Sequence, residues 1–230
     1  MSQIAGNLAE VRRRIEAAAR RVGRDSGGVR LVAVSKTVAL DHLKEAVVAG
    51  QRLFGENYLQ EAREKITALG AGLTWHLVGH LQTKKAKAAV ELFHLIHAVD
   101  RLKLARALED AAARQGKIQE ILLQVKLAEE ETKSGAAPEE VPGLLQEISR
   151  MPHLRVLGLM TMPPWFPDPE EARPYFRALR ELRDRLQSQK IIAGPLNELS
   201  MGMTGDFEVA VEEGATLVRI GTAIFGQRSG

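Results

Sequence analysis

Residues 198–207 read ELSMGMTGDF, and residues 218–226 read VRIGTAIFG. Each stretch is typical of a short buried strand that runs into a loop of small and hydroxyl residues. A helical pattern at 205–213 separates the two strands, and a helix between consecutive strands indicates that those strands are parallel. The two loops therefore follow the same ends of neighbouring strands, where they can converge on one phosphate group.

The same alternation of strand and helix extends back through the rest of the chain. Strict alternation implies parallel strands with right-handed crossovers, and eight strands favour a closed (β/α)8 TIM barrel, an α/β fold. No Gly-x-Gly-x-x-Gly motif follows the first strand, which disfavours an open dinucleotide-binding sheet. We expect one domain over residues 1–230, with an extra N-terminal helix at 3–22. The predicted strands are 30–35, 52–54, 74–78, 94–98, 119–126, 154–160, 196–199 and 216–220.

The composition argues against several classes of protein. The chain has 230 residues, 45% of them hydrophobic and 27% charged, which is enough for one large core. It contains no cysteine, so disulfides and thiolate zinc sites are excluded. No apolar run approaches the roughly 20 residues of a membrane helix, and the N-terminus has no apolar signal core. We therefore expect a cytoplasmic protein without membrane contact. A net charge of +3 and few aromatic residues argue against nucleic-acid binding.

A lysine ends the first predicted strand, in Leu31-Val32-Ala33-Val34-Ser35-Lys36. In a (β/α)8 barrel the reactive groups lie at the carboxyl ends of the strands, and a phosphate site often follows strands seven and eight. Lys36 is either a surface lysine just past a strand or a lysine whose amine forms a Schiff base with an aldehyde. Together with the two phosphate loops, the second interpretation indicates pyridoxal 5'-phosphate (PLP).

The two loops also supply the groups that such a ligand needs. Ser200, Gly202, Gly221 and Thr222 offer hydroxyls and unshielded backbone N–H groups, although turn geometry alone would explain either glycine. Arg219 lies within an apolar strand, where a buried guanidinium requires a partner. One candidate partner is the ring nitrogen of the cofactor, because a guanidinium donates hydrogen bonds and accepts none.

Four histidines raise the question of a metal site. His76, His80, His94 and His97 match no zinc-binding spacing. We interpret them as core or rim histidines and expect no metal.

The chain resembles the pyridoxal phosphate homeostasis protein family, relatives of the N-terminal barrel of alanine racemase. The resemblance covers almost the whole chain. The motifs that carry it are VAVSKT, GENYLQEAREK, WHLVGHLQTKKAK, HAVDR, EETKSG, GLMTM, LSMGMTGDFEVAVEEG and VRIGTAIFG.

The resemblance implies the role of each site residue. It implies PLP held as an internal aldimine on Lys36, an arginine at Arg219 that faces the pyridine nitrogen, and an asparagine near the cofactor at Asn57. Lys84 and Lys126 depart from the family pattern, which commonly has asparagine at both positions, and leave the contacts from strands three and five open. The positions that match the family's phosphate contacts are Ser200, Gly221 and Thr222.

The resemblance and the site residues support three hypotheses about function. The first is a PLP-binding protein without catalytic residues that buffers the cofactor or delivers it to apo PLP-dependent enzymes. Such a protein would act in intracellular vitamin B6 homeostasis, with effects on amino-acid metabolism, and we expect it to be a monomer. A further hypothesis is a cofactor-free phosphate-binding barrel enzyme, which the colour of the purified protein would test.

The second hypothesis is a PLP-dependent amino-acid racemase, which needs two bases on opposite faces of the substrate. In the racemases that the chain resembles, the second base is a tyrosine from another domain of the partner subunit. This chain ends eight residues after Thr222, and Tyr58 and Tyr175 fall in predicted barrel helices. We therefore favour the first hypothesis.

Overall fold

The structure is a computed structural model that describes residues 2–128, 134–192 and 194–227. Within these ranges the chain forms a closed barrel in which parallel strands follow one another in sequence order from β1 to β8. The (β/α)8 prediction is confirmed. The strands are β1 (Arg30–Val34), β2 (Leu53–Glu56), β3 (Thr74–Leu77), β4 (Leu95–Val99), β5 (Gln119–Gln124), β6 (Leu154–Met160), β7 (Glu198–Ser200) and β8 (Leu217–Ile220).

Helices surround the barrel and connect its strands. The helix at the N-terminus precedes β1, as predicted, and a four-residue helix after β8 was not predicted. The helices are α1 (Gln3–Arg21), α2 (Leu40–Val48), α3 (Leu59–Leu69), α4 (Ala86–Leu92), α5 (Leu102–Arg114), α6 (Val141–Ile148), α7 (Arg173–Ser188), α8 (Phe207–Glu212) and α9 (Thr222–Phe225).

The buried apolar side chains form two separate clusters, one inside the barrel and one outside it. The smaller cluster joins Val32, Leu95, Leu122, Met160 and Leu217, which come from five different strands and therefore meet inside the barrel. The larger cluster lies between the outer face of the strands and the helices. Alternate strand residues thus face inward and outward, as the pleat of a strand requires.

The additional helix α1 covers the side of the barrel that carries α8 and α9. Its apolar residues recur at helical spacing, and Ile4, Leu8 and Ile15 are buried. Asn7 donates a 2.8 Å hydrogen bond to the carbonyl of Ile224 at the other end of the chain. This contact ties the first helix to the last one, next to the loop that follows β8.

Several boundaries differ from the predicted ones. Strand β2 continues through Gly55 to Glu56 because it pairs with β3 over its whole length. The predicted strand 119–126 ends earlier, at Gln124, and Val125 instead forms an isolated bridge to Ala136. The helix predicted at 205–213 begins only at Phe207.

The EETKSG motif spans residues 130–135, and residues 129–133 lie outside the described ranges. Among the helices of residues 2–128, 134–192 and 194–227, none combines the length and apolar character that a membrane span needs.

Candidate functional site

Lys36 and the loop after β8 lie side by side at one end of the barrel. Strand β1 pairs with β8, and Ala33 stands opposite Ile220 in that ladder. Lys36 follows β1 by two residues and is half-buried, while Gly221 and Thr222 come directly after β8. The structure therefore brings the predicted lysine and two of the predicted phosphate contacts to the same edge.

A cavity of about 200 Å³ opens between these two loops. Val34 and Thr37, which lie two residues before and one residue after Lys36 in the sequence, line one side of the cavity. Gly221 and Thr222 line the other side. The cavity therefore lies between the turn that carries Lys36 and the loop after β8. Its lining residues do not include Lys36 itself, nor Asn57, Ser200 and Arg219.

The loops after β7 and β8 contact each other, as their sequences suggested. The backbone N–H of Ala223 donates to Oγ1 of Thr204 at 3.4 Å, and that of Arg219 donates to the carbonyl of Gly202 at 2.9 Å. Gly202 has a φ of 90°, and a Cβ atom there would lie 2.6 Å from the Cβ of Ala210. Only glycine fits this position, because it combines a left-handed backbone with close packing.

Arg219 is buried inside the barrel and crosses to the ends of two neighbouring strands. Its Nη1 donates to Oγ of Ser200 at 2.6 Å, and its Nη2 donates to the carbonyl of Thr161 at 2.9 Å. Burial lowers the pKa of Arg219 to about 10, against the attraction of Asp206, which raises it. The guanidinium is therefore charged at neutral pH. Within the described part of the chain, no carboxylate forms an ion pair with it.

A chain of hydrogen bonds continues from Ser200 into the barrel. Nδ1 of His97 lies 2.9 Å from Oγ of Ser200, and Nε2 of His97 lies 3.0 Å from Nδ1 of His76. Burial lowers the pKa of His76 to about 3 and holds the pKa of His97 well below its usual value. Both rings are therefore neutral at physiological pH.

The protons of this chain have two self-consistent arrangements. Arg219 only donates, so the Ser200 oxygen must accept from it. In one arrangement Ser200 donates its proton to His97, which donates in turn to His76. In the reverse arrangement His76 donates to His97 and His97 donates to Ser200, which leaves the serine proton for a bound ligand.

The other residues that the sequence singled out lie after β2, β3 and β5 or are histidines. Asn57 is half-buried just after β2, and its Cγ lies 2.9 Å from where a Cβ on Gly79 would stand. Lys84 is exposed, and Lys126 is half-buried after β5. Of the four histidines, only His76 and His97 are in the core, whereas the other two are exposed.

Sequence reasoning did not select Thr161, Thr204 or Lys65. Thr161 and Thr204 stand in the loops after β6 and β7, where the rule that barrel sites use strand ends would find them. Lys65 lies within α3 and carries no comparable signal, because a helix lysine is normally a surface residue.

Comparison with known proteins identifies the family. Residues 6–229 match the family model described as alanine racemase, N-terminal domain. The "Pyridoxal phosphate homeostasis protein" of Aquifex aeolicus (strain VF5) is 45% identical over 222 residues, which cover 96% of each chain.

Solved structures show the same relationship. PipY of Synechococcus elongatus PCC7942, in a structure with PLP bound, superposes with a TM-score of 0.86 at 39% identity, over 97% of this chain and 100% of that one. Alanine racemase from Corynebacterium glutamicum shares the fold, with a TM-score of 0.74 at 19% identity, over 98% of this chain and 61% of that one. The chain therefore belongs to the pyridoxal phosphate homeostasis protein family, within the larger family of alanine racemase N-terminal domains.

Proposed function

We propose that this protein binds PLP through Lys36 and buffers the cofactor or delivers it to apo-enzymes that require it. The observation that carries the proposal is the cavity between the Lys36 turn and the Gly221–Thr222 loop, with Arg219 buried two residues before that loop. The relatives indicate the identity of the ligand, because they are named for pyridoxal phosphate and PipY has a structure with PLP bound.

The buried guanidinium suits the ring of this cofactor. Arg219 is a charged donor whose guanidinium hydrogen bonds, among the described residues, go to the neutral oxygens of Ser200 and Thr161. It would donate to the pyridine nitrogen, and it holds its own proton because its pKa of about 10 lies well above neutral pH. PLP, when bound, supplies an aldehyde for an amine and an electron-withdrawing ring. A guanidinium beside the ring nitrogen moderates that withdrawal, because it keeps the nitrogen unprotonated.

The loops after β7 and β8 suit the phosphate. Gly221 and Thr222 line the cavity with backbone and hydroxyl groups and place no bulky side chain there. Ser200 would add its hydroxyl proton in the arrangement in which His97 donates to it. We assign Asn57 to the rim of the same site.

We infer that the protein is a carrier rather than a racemase. The second base of the related racemases is a tyrosine, and neither tyrosine of this chain lines the cavity. Tyr58 is 57% exposed at the start of α3, and the ring of Tyr175 stacks on Phe166. The likeness to racemases at 19% identity is one of fold, whereas relatives at 45% identity carry the homeostasis name. The proposal includes a cytoplasmic monomer that contacts its apo-enzymes transiently.

Transfer of the cofactor tests this function. The PLP-loaded protein, freed of excess PLP, should restore activity to an apo PLP-dependent enzyme across a short incubation. The same preparation should convert L-alanine to D-alanine no faster than the Lys36→Ala variant does. Brisk racemisation that Lys36→Ala abolishes would make the protein an enzyme, and failure to retain PLP would refute the binding proposal.

A further inference from the structure

We propose that Lys65 is a positioning residue for Lys36, and that its ammonium group fixes the backbone turn on which Lys36 stands. The inference rests on the proposed function of Lys36 as the residue that holds PLP. It concerns a side chain on α3 that lies outside the cavity itself.

Lys65 is an unusually buried lysine. Its side chain is 8% exposed, and its ammonium group has three oxygen acceptors. These are the carbonyl of Ser35 at 2.5 Å, Oε1 of Glu56 at 2.8 Å and Oε1 of Glu61 at 2.6 Å. A lysine is rarely buried unless such partners compensate for its lost hydration. The three acceptors therefore account for the burial of this ammonium group.

The three acceptors hold the backbone on both sides of Lys36. On the near side, Lys65 contacts the Ser35 carbonyl directly, and Oγ of Ser35 donates to Glu56 at 2.6 Å. On the far side, Glu61 accepts the backbone N–H of Thr37 at 2.5 Å. One ammonium group therefore links the residue before Lys36 to the residue after it.

The turn needs such support because its backbone is strained. Thr37 has a φ of 61°, in the left-handed region that a β-branched residue rarely adopts. Its hydroxyl donates to the carbonyl of Lys36 at 2.7 Å. Strained conformations persist where surrounding contacts enforce them, and they cluster at ligand sites. The hydrogen bond from Thr37 to Glu61 supplies that enforcement here.

Lys65 also compensates a buried charge, so its replacement would affect the stability of the fold as well as the position of the Lys36 turn. Glu56 is fully buried, and its Oε2 has no partner within the described residues. Removal of Lys65 would leave this carboxylate without its cation, which destabilises the fold for reasons unrelated to the turn. Replacement of Glu56 by glutamine in the same variant removes that buried charge while the turn still lacks Lys65.

The experiment compares Lys65→Met with the double variant Lys65→Met/Glu56→Gln. Lys65→Met should lower the unfolding midpoint and weaken PLP binding about tenfold or more, the cost of losing charge-assisted hydrogen bonds. The double variant should regain most of the unfolding midpoint but keep the weakened binding. Arg63→Met is the control on the same helix, because Arg63 forms an exposed pair with Glu91.

A second pair of variants tests the far side of the turn while Lys65 keeps Glu56 as its counter-ion. Glu61→Ala should weaken PLP binding and speed amide hydrogen exchange at Thr37, whereas Glu64→Ala, exposed on the same helix, should change neither. Recovery of wild-type PLP affinity in the Lys65→Met/Glu56→Gln protein would overturn the inference, as would unchanged exchange at Thr37 in Glu61→Ala. If the wild-type protein itself holds no PLP on Lys36, the proposed function fails instead.

Discussion

Arg219 donates a 2.6 Å hydrogen bond from Nη1 to Oγ of Ser200, and both side chains are buried in the barrel. This bond joins the end of β7 to β8. We therefore expect Ser200 to act on a bound ligand in two ways, through its own hydroxyl and through the position of Arg219. Thr222 is exposed where it lines the cavity, and we expect it to act through its hydroxyl alone.

The two hydroxyl residues should respond differently to the phosphate of the ligand. Thr222→Ala should weaken binding of PLP about tenfold or more and leave binding of pyridoxal, which lacks the phosphate, nearly unchanged. Ser200→Ala should weaken both, because Arg219 loses a partner whichever form of the vitamin is bound. Fluorescence titration with the two compounds measures the four constants. Equal losses for PLP and pyridoxal in Thr222→Ala would place the phosphate elsewhere.

The loop after β7 offers a matched pair of glycines. Gly202→Ala forces alanine into a φ of 90° and a 2.6 Å contact with Ala210, so it should lower the free energy of unfolding. Left-handed strain and overpacking together suggest about 2–4 kcal/mol. Gly205→Ala should be nearly neutral, because no atom lies within 4 Å of the added Cβ. Chemical denaturation of both variants provides the measurement, and similar losses in both would contradict the close packing of Gly202 against Ala210.

The buried histidines should make the protein sensitive to acid. The pKa of His76 falls from its ordinary value of 6.5 to about 3 on folding, so below pH 6.5 the unfolded chain binds a proton that the folded chain does not. The stabilising effect of the neutral ring is complete above pH 6.5 and is lost as the pH falls toward 3. His76→Gln should therefore reduce the slope of unfolding free energy against pH by up to about 1.4 kcal/mol per unit in this interval.

Two carboxyl groups change the free energy of unfolding with pH in the opposite direction to His76. Their effect cancels when the wild type is compared with His76→Gln. Burial raises the pKa of Glu56 and of Asp206, so each binds a proton more readily in the folded state. Both are present in wild type and variant alike. His42→Gln, on the exposed side of α2, is the control. If His76→Gln leaves the slope of unfolding free energy against pH unchanged, the fold does not hold His76 neutral.

The barrel was predictable because its parallel strands are buried on both faces and appear as short apolar runs. Their boundaries were less predictable, because they depend on partners: β2 extends to Glu56 through its ladder with β3. The four residues of α9 are too few to show a helical period. Lys36 and Ser200 could be selected as candidates because strand ends carry the site in this fold. Arg219 could be selected because an arginine inside an apolar strand needs a partner.

Other parts of the site depend on register and tertiary contacts. His76 and His97 are 21 residues apart and meet only because His76 pairs with Leu95 in the ladder between β3 and β4. Lys65 lies in an amphipathic helix, where a sequence pattern assigns lysine to the surface. The closeness of Glu56, Glu61 and the Ser35 carbonyl makes its burial favourable.

Covalent trapping identifies the residue that holds the cofactor. The protein should be incubated with PLP, reduced with borohydride, digested and mapped by mass spectrometry. We predict a stable adduct on Lys36 and none in the Lys36→Ala variant, together with loss of the visible absorption band on reduction. An adduct on Lys84, Lys85 or Lys133 of the wild-type protein, with Lys36 unmodified, would contradict the account.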